Sequence, residues 1–411
     1  MISLGKKALE AKDFLASVTE EQKNEALKAI ADALRENSQA IIDANKIDIE
    51  NGEKAGLNKG LIDRLMLDEK RINDIADSVI NVINLPDPCG ITLDEISRPN
   101  GLVIKKVSVP IGVIGIIYEA RPNVTADAAV LCLKSSNAVI LRGGKEAINS
   151  NIAISSVMRT AIKNCGFDEN CIQLVTDTSR NSANEMMKMN GYLDCLIPRG
   201  GKNLIKSVVE NSTVPVIETG SGNCHIYVDE DADVEMAAKI IFNAKTQRIS
   251  VCNSCESLVI HSAILNKAMP KIKALLDEKN VEIRGDERAV LAAEGILPAS
   301  EEDFATEYLD YIISVKTVDS LDEAIRHINK NSTRHSEAII TENDENAKAF
   351  LQRVDSSSVY VNASTRFTDG GEFGLGAEIG ISTQKLHARG PMGLRELTTT
   401  KYLVFGNGQT R

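Results

Sequence analysis

The chain has 411 residues, of which 43% are hydrophobic, so it can supply two or three cores at about 150 residues per domain. Its 58 Asp and Glu residues against 47 Lys and Arg give a formal charge of −11, which argues against a nucleic-acid partner because phosphate backbones demand a cationic face. The longest apolar runs have only strand length, so we expect no membrane-spanning or secretory segment and a cytoplasmic protein.

The eight cysteines do not follow the spacing of a disulfide framework or of a metal site. The close pair Cys252 and Cys255 has no second pair and no histidine ligand nearby. We therefore expect reduced thiols and no bound metal.

The first 85 or so residues have helical periodicity, beginning with a capping box at Thr19-Glu20-Glu21-Gln22. Asn100-Gly101 then separates two runs of strand character, 91–98 and 102–109. This spacing is typical of a β-hairpin with a type I′ turn.

From residue 111 the pattern alternates between strands and helices. Predicted helices include 125–134 and 145–163. The predicted strands are 111–117, 138–142, 171–175, 195–198, 214–218, 225–228, 256–261, 311–318, 338–341 and 359–362. Alternation of this kind indicates βαβ units, hence two open α/β domains with parallel sheets and ligands at the carboxyl ends of strands.

Several segments combine small residues with groups that can do chemistry. The turn Arg142-Gly143-Gly144-Lys145 suits either a phosphate at a helix start or plain close packing, and it is not a GxGxxG motif. Glu218, followed by Thr-Gly-Ser-Gly, suits a general base, a ribose contact or a helix cap. The glycine-dense stretch 370–376 suits close approach to a ligand or a surface loop.

A cysteine between a helix and a strand can present its sulfur in a cleft as a nucleophile, and the segment 243–253 ends on such a residue, Cys252. A buried structural thiol is the alternative. Composition alone separates Cys252 neither from Cys255 nor from the other six cysteines.

Taken together, these segments resemble the γ-glutamyl phosphate reductases of the aldehyde dehydrogenase superfamily. The resemblance runs in order from about residue 5 to the end of the chain and is carried by 109–125, 141–146, 197–201, 218–225, 243–248, 373–383 and 390–393. It implies an aldehyde dehydrogenase-like α/β fold with a cofactor-binding domain (1–225), a catalytic domain (226–380) and a C-terminal return (381–411). A hairpin near 91–109 and a strand around 402–404 would form a small oligomerisation element.

The reaction implied by the resemblance is NADPH-dependent reduction of L-glutamyl 5-phosphate to glutamate 5-semialdehyde, the second step of proline synthesis. The family's nucleophile falls on Cys252, although Ile249-Ser250 replaces the usual Pro-Gly or Pro-Ser. Asn123 matches the oxyanion-hole asparagine, which would act with the backbone N–H of Cys252. Glu218 matches the glutamate that activates water in hydrolytic relatives, so we expect a lesser role for it here.

The resemblance also indicates cofactor contacts. Many NAD-using relatives carry Lys-Pro-x-Glu where this chain has Arg142-Gly143-Gly144-Lys145, and a cation there would attract a ribose 2′-phosphate. The run Arg199-Gly200-Gly201 matches the loop near the nicotinamide-side phosphates, and Glu307 matches the glutamate that holds the nicotinamide ribose. We therefore predict NADPH as the cofactor.

For the substrate we nominate Arg121 and Arg366, with surface or structural arginines as the alternative. The resemblance favours a homo-oligomer and is compatible with a contact to glutamate 5-kinase, because the acyl phosphate cyclises readily. The nearest rival function is a hydrolytic aldehyde dehydrogenase in which Glu218 activates water. A catalytically silent scaffold is a further alternative, which retention of Asn123 and Cys252 disfavours.

Overall fold

A computed structural model describes residues 1–411, except for the side chain of Lys59. The chain forms two compact units. The first unit comprises Met1–Thr219, Gly374–Gly380 and Met392–Arg411, and the second comprises Gly220–Phe373 and Ile381–Pro391. The units differ from the predicted domains at residues 220–225 and 381–391, which lie in the second unit, and at 374–380, which lie in the first.

The α-helices are α1 (Ile2–Leu15), α2 (Glu20–Glu36), α3 (Ser38–Lys54), α4 (Lys59–Leu65), α5 (Glu69–Ile83), α6 (Asn123–Lys134), α7 (Ile148–Asn164), α8 (Arg180–Met186), α9 (Lys202–Asn211), α10 (Val234–Thr246), α11 (Ser262–Asp277), α12 (Glu287–Ala292), α13 (Leu321–Asn331) and α14 (Asp344–Arg353). Short 3₁₀ turns occur at Lys145–Ala147, Glu169–Cys171, Asp303–Ala305, Thr365–Phe367 and Arg395–Leu397. Among the helices described, none is both long enough and apolar enough to cross a bilayer.

The strands are β1 (Thr92–Ser97), β2 (Val103–Pro110), β3 (Val113–Tyr118), β4 (Ala138–Arg142), β5 (Ile172–Leu174), β6 (Cys195–Arg199), β7 (Cys224–Val228), β8 (Cys255–His261), β9 (Glu282–Gly285), β10 (Leu297–Pro298), β11 (Ile312–Val318), β12 (Ser336–Ile340), β13 (Ser358–Val361), β14 (Gly380–Ser382), β15 (Gly390–Met392) and β16 (Thr398–Phe405).

The predicted capping box is confirmed at the start of α2. The Thr19 hydroxyl accepts the Gln22 N–H at 3.3 Å, and the Gln22 side chain accepts the Thr19 N–H at 2.9 Å. Two backbone donors at the helix start are thereby satisfied. The apolar face that follows, which includes Leu27, Ile30 and Leu34, is fully buried.

The first unit contains a four-stranded parallel sheet in the order β5-β4-β3-β6. β3 is buried at every position, as expected for a parallel strand in the middle of a sheet that is covered on both faces. The chain runs outward from β3 through β4 to β5 and then returns to the other side of β3 as β6. The strand order therefore reverses between β3 and β6, and a ligand crevice is expected outside their carboxyl ends.

The predicted strand 214–218 is wrong. Only an isolated bridge between Leu196 and Val216 forms, flanked by backbone hydrogen bonds from Leu196 N–H to Pro215 and from Ile217 N–H to Leu196. Pro215 has no N–H to donate, so this edge segment cannot continue a regular ladder.

The hairpin is confirmed, and β16 joins it in a three-stranded antiparallel sheet of order β1-β2-β16. The type I′ turn is wrong. The Gly101 N–H donates to Arg98 O at 2.9 Å, and of the Asn100-Gly101 pair only Gly101 has a positive φ, of 89°. Pro99 explains this, because its fixed φ suits the second position of a type I turn, after which Gly101 takes the left-handed position.

The second unit contains a seven-stranded parallel sheet of order β10-β9-β11-β8-β7-β12-β13. One face packs against α10 and α11 through a buried cluster that includes Ile226, Ile241, Leu258 and Ile272. Parallel pairing of β7 with β8 places Cys224 opposite Cys255, so the loops that enter these two strands lie side by side.

Candidate active site

Cys252 lies in the loop between α10 and β8, three residues before the strand begins, and its side chain is partly buried. The loop is tied to itself, because the Ser254 N–H donates to Val251 O at 3.2 Å. It is also tied to the neighbouring strand, where the Cys224 thiol donates to Cys252 O at 3.2 Å. The candidate nucleophile thus sits at the amino end of a strand, whereas the general rule for open sheets led us to expect ligands at carboxyl ends.

Gly222 packs directly against the backbone of Cys252. An added Cβ would overlap the Cys252 carbonyl and come within 2.7 Å of its Cα. The Gly222 N–H donates to Glu307 Oε1 at 2.7 Å, so the glutamate predicted to hold a ribose holds this loop in place. Only a glycine allows two backbones to approach so closely, which gives part of the Thr-Gly-Ser-Gly motif a structural reason.

Arg366 and Asn253 also hold the loop that carries Cys252, hereafter the nucleophile loop (residues 247–254). The Arg366 guanidinium donates from Nη1 to Asn253 Oδ1 and from Nε to Gln247 Oε1, the latter at 2.9 Å. Asn253 Nδ2 in turn donates to Thr368 O at 2.9 Å. Burial and then the charge of Arg248 lower the pKa of the Arg366 guanidinium. Two arginines therefore lie close together beside the segment that carries the cysteine.

Exposure distinguishes Cys252 from Cys255. Cys255 is fully buried in β8, its thiol donates to Ser257 O at 3.5 Å, and burial strongly raises its pKa. Cys224 is also fully buried, and burial raises its pKa. All eight cysteines carry thiols, and of the three in this region Cys252 alone is open to solvent. The geometry supports Cys252 as the reactive residue.

A buried ion pair supports the loop that carries Cys252. Lys245 in the last turn of α10 and Glu256 in β8 are both fully buried, with Nζ and Oε2 2.6 Å apart. Burial raises the pKa of the Glu256 carboxyl, and Lys245 opposes the rise. The pair joins the elements on either side of Cys252. Sequence reasoning missed this pair, although Lys245 lies within a motif that carried the resemblance.

In the first unit, Asn123 is the first residue of α6, and its Nδ2 donates to Asp127 Oδ2 at 2.9 Å. Burial raises the pKa of the Asp127 carboxyl to about 6, while the hydrogen bond from Asn123 and the charge of Arg199 oppose the rise. Asp127 therefore orients the candidate oxyanion donor. The i, i+4 spacing of the two residues on a predicted helix was the signal that could have revealed it. Arg121, two residues before α6, is exposed.

The four residues predicted to contact the adenosine end of the cofactor take different positions after β4. Arg142 Nη2 donates to the carbonyls of Thr178 and Ser179 at 2.7 and 2.9 Å, so it braces the next loop. Gly143 and Gly144 are buried, and an added Cβ on Gly143 would come within 3.1 Å of the Tyr118 ring. Lys145 is exposed at the start of a 3₁₀ turn. Lys145 is thus the cation of this turn that faces solvent.

The loop Arg199-Gly200-Gly201 leads into α9 at the point where the strand order reverses. The Gly201 N–H donates to Glu119 Oε2 at 2.8 Å, so a carboxylate lies at the start of this helix. The Arg199 guanidinium packs against Gly380, where an added Cβ would lie 2.8 Å from its Cζ. Glu218 is partly buried next to Thr219, whose hydroxyl donates to Pro198 O at 2.6 Å.

The structure therefore brings the predicted residues together in separate groups. In the second unit, Cys252, Glu307 and Arg366 share one network through Gly222 and Asn253. In the first unit, Asn123 and Arg199 are linked electrostatically through Asp127. Among the described residues, no cluster of three or more His, Cys, Asp or Glu side chains is arranged to hold a metal ion.

Comparison with known proteins gives a consistent result. The aldehyde dehydrogenase family model matches residues 3–291 and 299–403. A γ-glutamyl phosphate reductase from Lachnospira eligens is 59% identical over 408 residues, which covers 99% of this chain and 98% of that protein. One from Clostridium botulinum (strain Eklund 17B) is 58% identical over 411 residues, covering 100% and 99%. The crystal structure of the γ-glutamyl phosphate reductase from Thermotoga maritima has a TM-score of 0.98 at 50% identity and covers 100% of this chain and 99% of that chain.

Proposed function

This chain belongs to the aldehyde dehydrogenase family and, within it, to the γ-glutamyl phosphate reductases, and we propose that it reduces L-glutamyl 5-phosphate to L-glutamate 5-semialdehyde with release of phosphate. This is a step of proline biosynthesis. The observation that carries the proposal is the match over the whole chain, with 59% identity to one such enzyme.

Cys252 is the proposed nucleophile. Its thiolate attacks the acyl carbonyl of the substrate to form a C–S bond, and the tetrahedral intermediate collapses when the C–O bond to phosphate breaks. Inorganic phosphate leaves with the electron pair of that bond, and a thioester remains on Cys252. Asn123 is the proposed donor to the oxyanion, a contribution typically worth about 3 kcal/mol. Asp127 supports this role because it accepts a hydrogen bond from the same amide group that would donate.

NADPH is the proposed cofactor, and the residues present fit it. The exposed Lys145 follows the carboxyl end of β4, in the sheet whose strand order reverses between β3 and β6. When bound, NADPH supplies the hydride that reduces the Cys252 thioester. Lys145 would hold the ribose 2′-phosphate, and Arg142 would hold the loop through Thr178 and Ser179. Collapse of the thiohemiacetal on Cys252 then releases the aldehyde and restores the thiolate.

Arg366 and the neighbouring Arg248 are the proposed contacts of the leaving phosphate, with Arg121 as a further candidate. Burial lowers the pKa of the Arg366 guanidinium, and the nearby charge of Arg248 adds to the effect. A pair of cations held close together is stabilised when a phosphate dianion binds between them. A water activated by Glu218 would hydrolyse the thioester in competition with its reduction. We therefore assign Glu218 no catalytic proton transfer.

Self-association through the β1-β2-β16 sheet is also proposed. All six residues of β1 are exposed, and the sheet presents Leu93, Ile96, Tyr402 and Phe405 to solvent, with Tyr402 61% exposed. Apolar patches of this kind mark interaction surfaces. A contact with glutamate 5-kinase and a cytoplasmic location remain predictions of the sequence.

The test follows NADPH absorbance in the reverse direction, with NADP and glutamate semialdehyde, with and without phosphate. We expect formation of NADPH that requires phosphate, that is absent in Cys252→Ala and that is retained in Cys255→Ala. Equal turnover with NAD would remove the cofactor assignment. NADPH formation without phosphate would identify a hydrolytic aldehyde dehydrogenase and give Glu218 the role of base.

A further inference from the structure

A cavity of about 270 Å³ lies within the first unit, beside the start of α6. Its apolar lining comes from Met66, Leu67 and Ile75, at the end of α4 and along α5. Asn123 and Asp127 also line it. The amide proposed to hold the oxyanion therefore faces a space that a small molecule can occupy.

The cavity carries both signs of charge. Arg64 and Arg71 supply two guanidinium groups, and Asp74 supplies a carboxylate in addition to Asp127. Arg71 is held in place, because its Nη2 lies 2.7 Å from the Asp63 carboxylate and its Nη1 donates to Met66 O at 2.9 Å. These two contacts hold the short segment that contains Arg64, because Asp63 and Met66 lie on either side of it.

We propose that this cavity binds the α-amino-acid end of the substrate, with Arg64 contacting the α-carboxylate and Asp74 the α-ammonium group. The inference rests on the proposed function, because Asn123 marks where the reacting carbonyl would lie. A lining of mixed charge suits a zwitterion, whereas a phosphate dianion would be repelled by Asp74 and Asp127.

The experiment compares kcat/KM for three aldehydes in the reverse reaction: glutamate semialdehyde, 4-aminobutanal, which lacks the carboxylate, and glutaric semialdehyde, which lacks the amino group. In Arg64→Gln, we expect the preference for glutamate semialdehyde over 4-aminobutanal to fall about 10- to 100-fold, the effect of one charged hydrogen bond. In Asp74→Asn, we expect the preference over glutaric semialdehyde to fall instead. Asp74 is exposed, so this second variant is expected to fold even if Arg64→Gln does not.

Arg35→Gln is the matched control, since Arg35 lies in the first unit and pairs with Asp77 at the surface. Both preferences should be unchanged in it. Unchanged preferences in Arg64→Gln and Asp74→Asn, with the wild type active on glutamate semialdehyde in a phosphate-dependent way, would overturn this inference and leave the proposed function standing. A wild type inactive on glutamate semialdehyde would overturn both.

Discussion

Gly222 lies so close to Cys252 that a methyl group on the glycine would overlap the carbonyl of the cysteine and come within 2.7 Å of its Cα. The obstacle is backbone rather than a flexible side chain, so the nucleophile loop would have to move. The Gly222 N–H donates to Glu307 Oε1 at 2.7 Å, and this hydrogen bond opposes movement of the glycine away from Cys252. The position of the proposed nucleophile therefore depends on a residue that has no side chain.

We expect Gly222→Ala to lower kcat at least about 100-fold, because displacement of a reacting atom by about 1 Å has an effect of this size. Steady-state kinetics in the reverse reaction measures it. Gly60→Ala is the control, since Gly60 is an exposed residue of α4 with room for a Cβ, and it should gain about 0.5–1 kcal/mol of stability with unchanged kcat. A Gly222→Ala enzyme with wild-type kcat would show that the close approach is irrelevant to catalysis.

Thiol reactivity separates a nucleophile from a merely exposed cysteine. Cys165 is the exposed thiol of the chain, and burial and the charge of Glu25 raise its pKa, whereas Cys252 is only partly exposed. We expect iodoacetamide at pH 7.5 to modify Cys252 at least about ten times faster than Cys165, because an activated cysteine reacts as the thiolate. Peptide mass spectrometry over a time course measures both rates in one sample. Faster modification of Cys165 would contradict the assignment of Cys252.

The regular elements could be predicted from the sequence because buried parallel strands are continuous apolar runs. The strand 138–142 was predicted at the bounds that the structure shows for β4, Ala138–Arg142. The two local errors both involve proline. Pro99 moved the turn by one residue, and Pro215 prevented a strand at 214–218. In each case one missing N–H or one fixed φ outweighed a pattern summed over several residues.

The contacts of the candidate site were harder to predict because they join residues far apart in sequence. The approach of Gly222 to Cys252 depends on the pairing of β7 with β8, which no local pattern encodes. The same holds for Glu307 and Gly222. Asp127 differs, since it lies one helical turn from Asn123, and the i, i+4 spacing on a predicted helix is enough to indicate their contact.

The pH dependence of stability tests the environment of Asp127. Burial raises the pKa of its carboxyl to about 6 from an ordinary value of 3.8. Between these two values the folded protein retains a proton that the unfolded chain has released, so this group's contribution to stability falls as the pH rises. Asp127→Asn removes the charge. We expect it to be more stable than the wild type at pH 7, by at most about 3 kcal/mol, and equal to it near pH 4. Urea unfolding at both pH values measures the difference.

Asp43→Asn is the control, because hydrogen bonds from Lys46 and Gln39 lower the pKa of the exposed Asp43. The free energy of unfolding of Asp43→Asn, relative to that of the wild type, should not increase from pH 4 to pH 7. A difference between Asp127→Asn and the wild type that stays constant with pH would show that Asp127 keeps an ordinary pKa in the folded protein.

The hydrogen bond from Asn123 to Asp127 makes a separate prediction for catalysis. Asparagine at position 127 retains an oxygen that can accept from Asn123 Nδ2, whereas leucine does not. We expect Asp127→Leu to lower kcat about 10-fold with little change in KM, and Asp127→Asn to restore most of it. Equal kcat values in the two variants would contradict a positioning role.

The buried pair Lys245–Glu256 is expected to stabilise the fold. Removal of one partner leaves a charge or a strong acceptor in a site without water, so Lys245→Met should lower the free energy of unfolding by about 3–5 kcal/mol. The double variant Lys245→Met/Glu256→Gln contains no buried charge and should recover most of this loss. Lys54→Met, which breaks the exposed pair with Glu50, should change nothing measurable. If the single and double variants of the buried pair were equally unstable, packing around the Lys245 stem rather than ion pairing would hold the nucleophile loop.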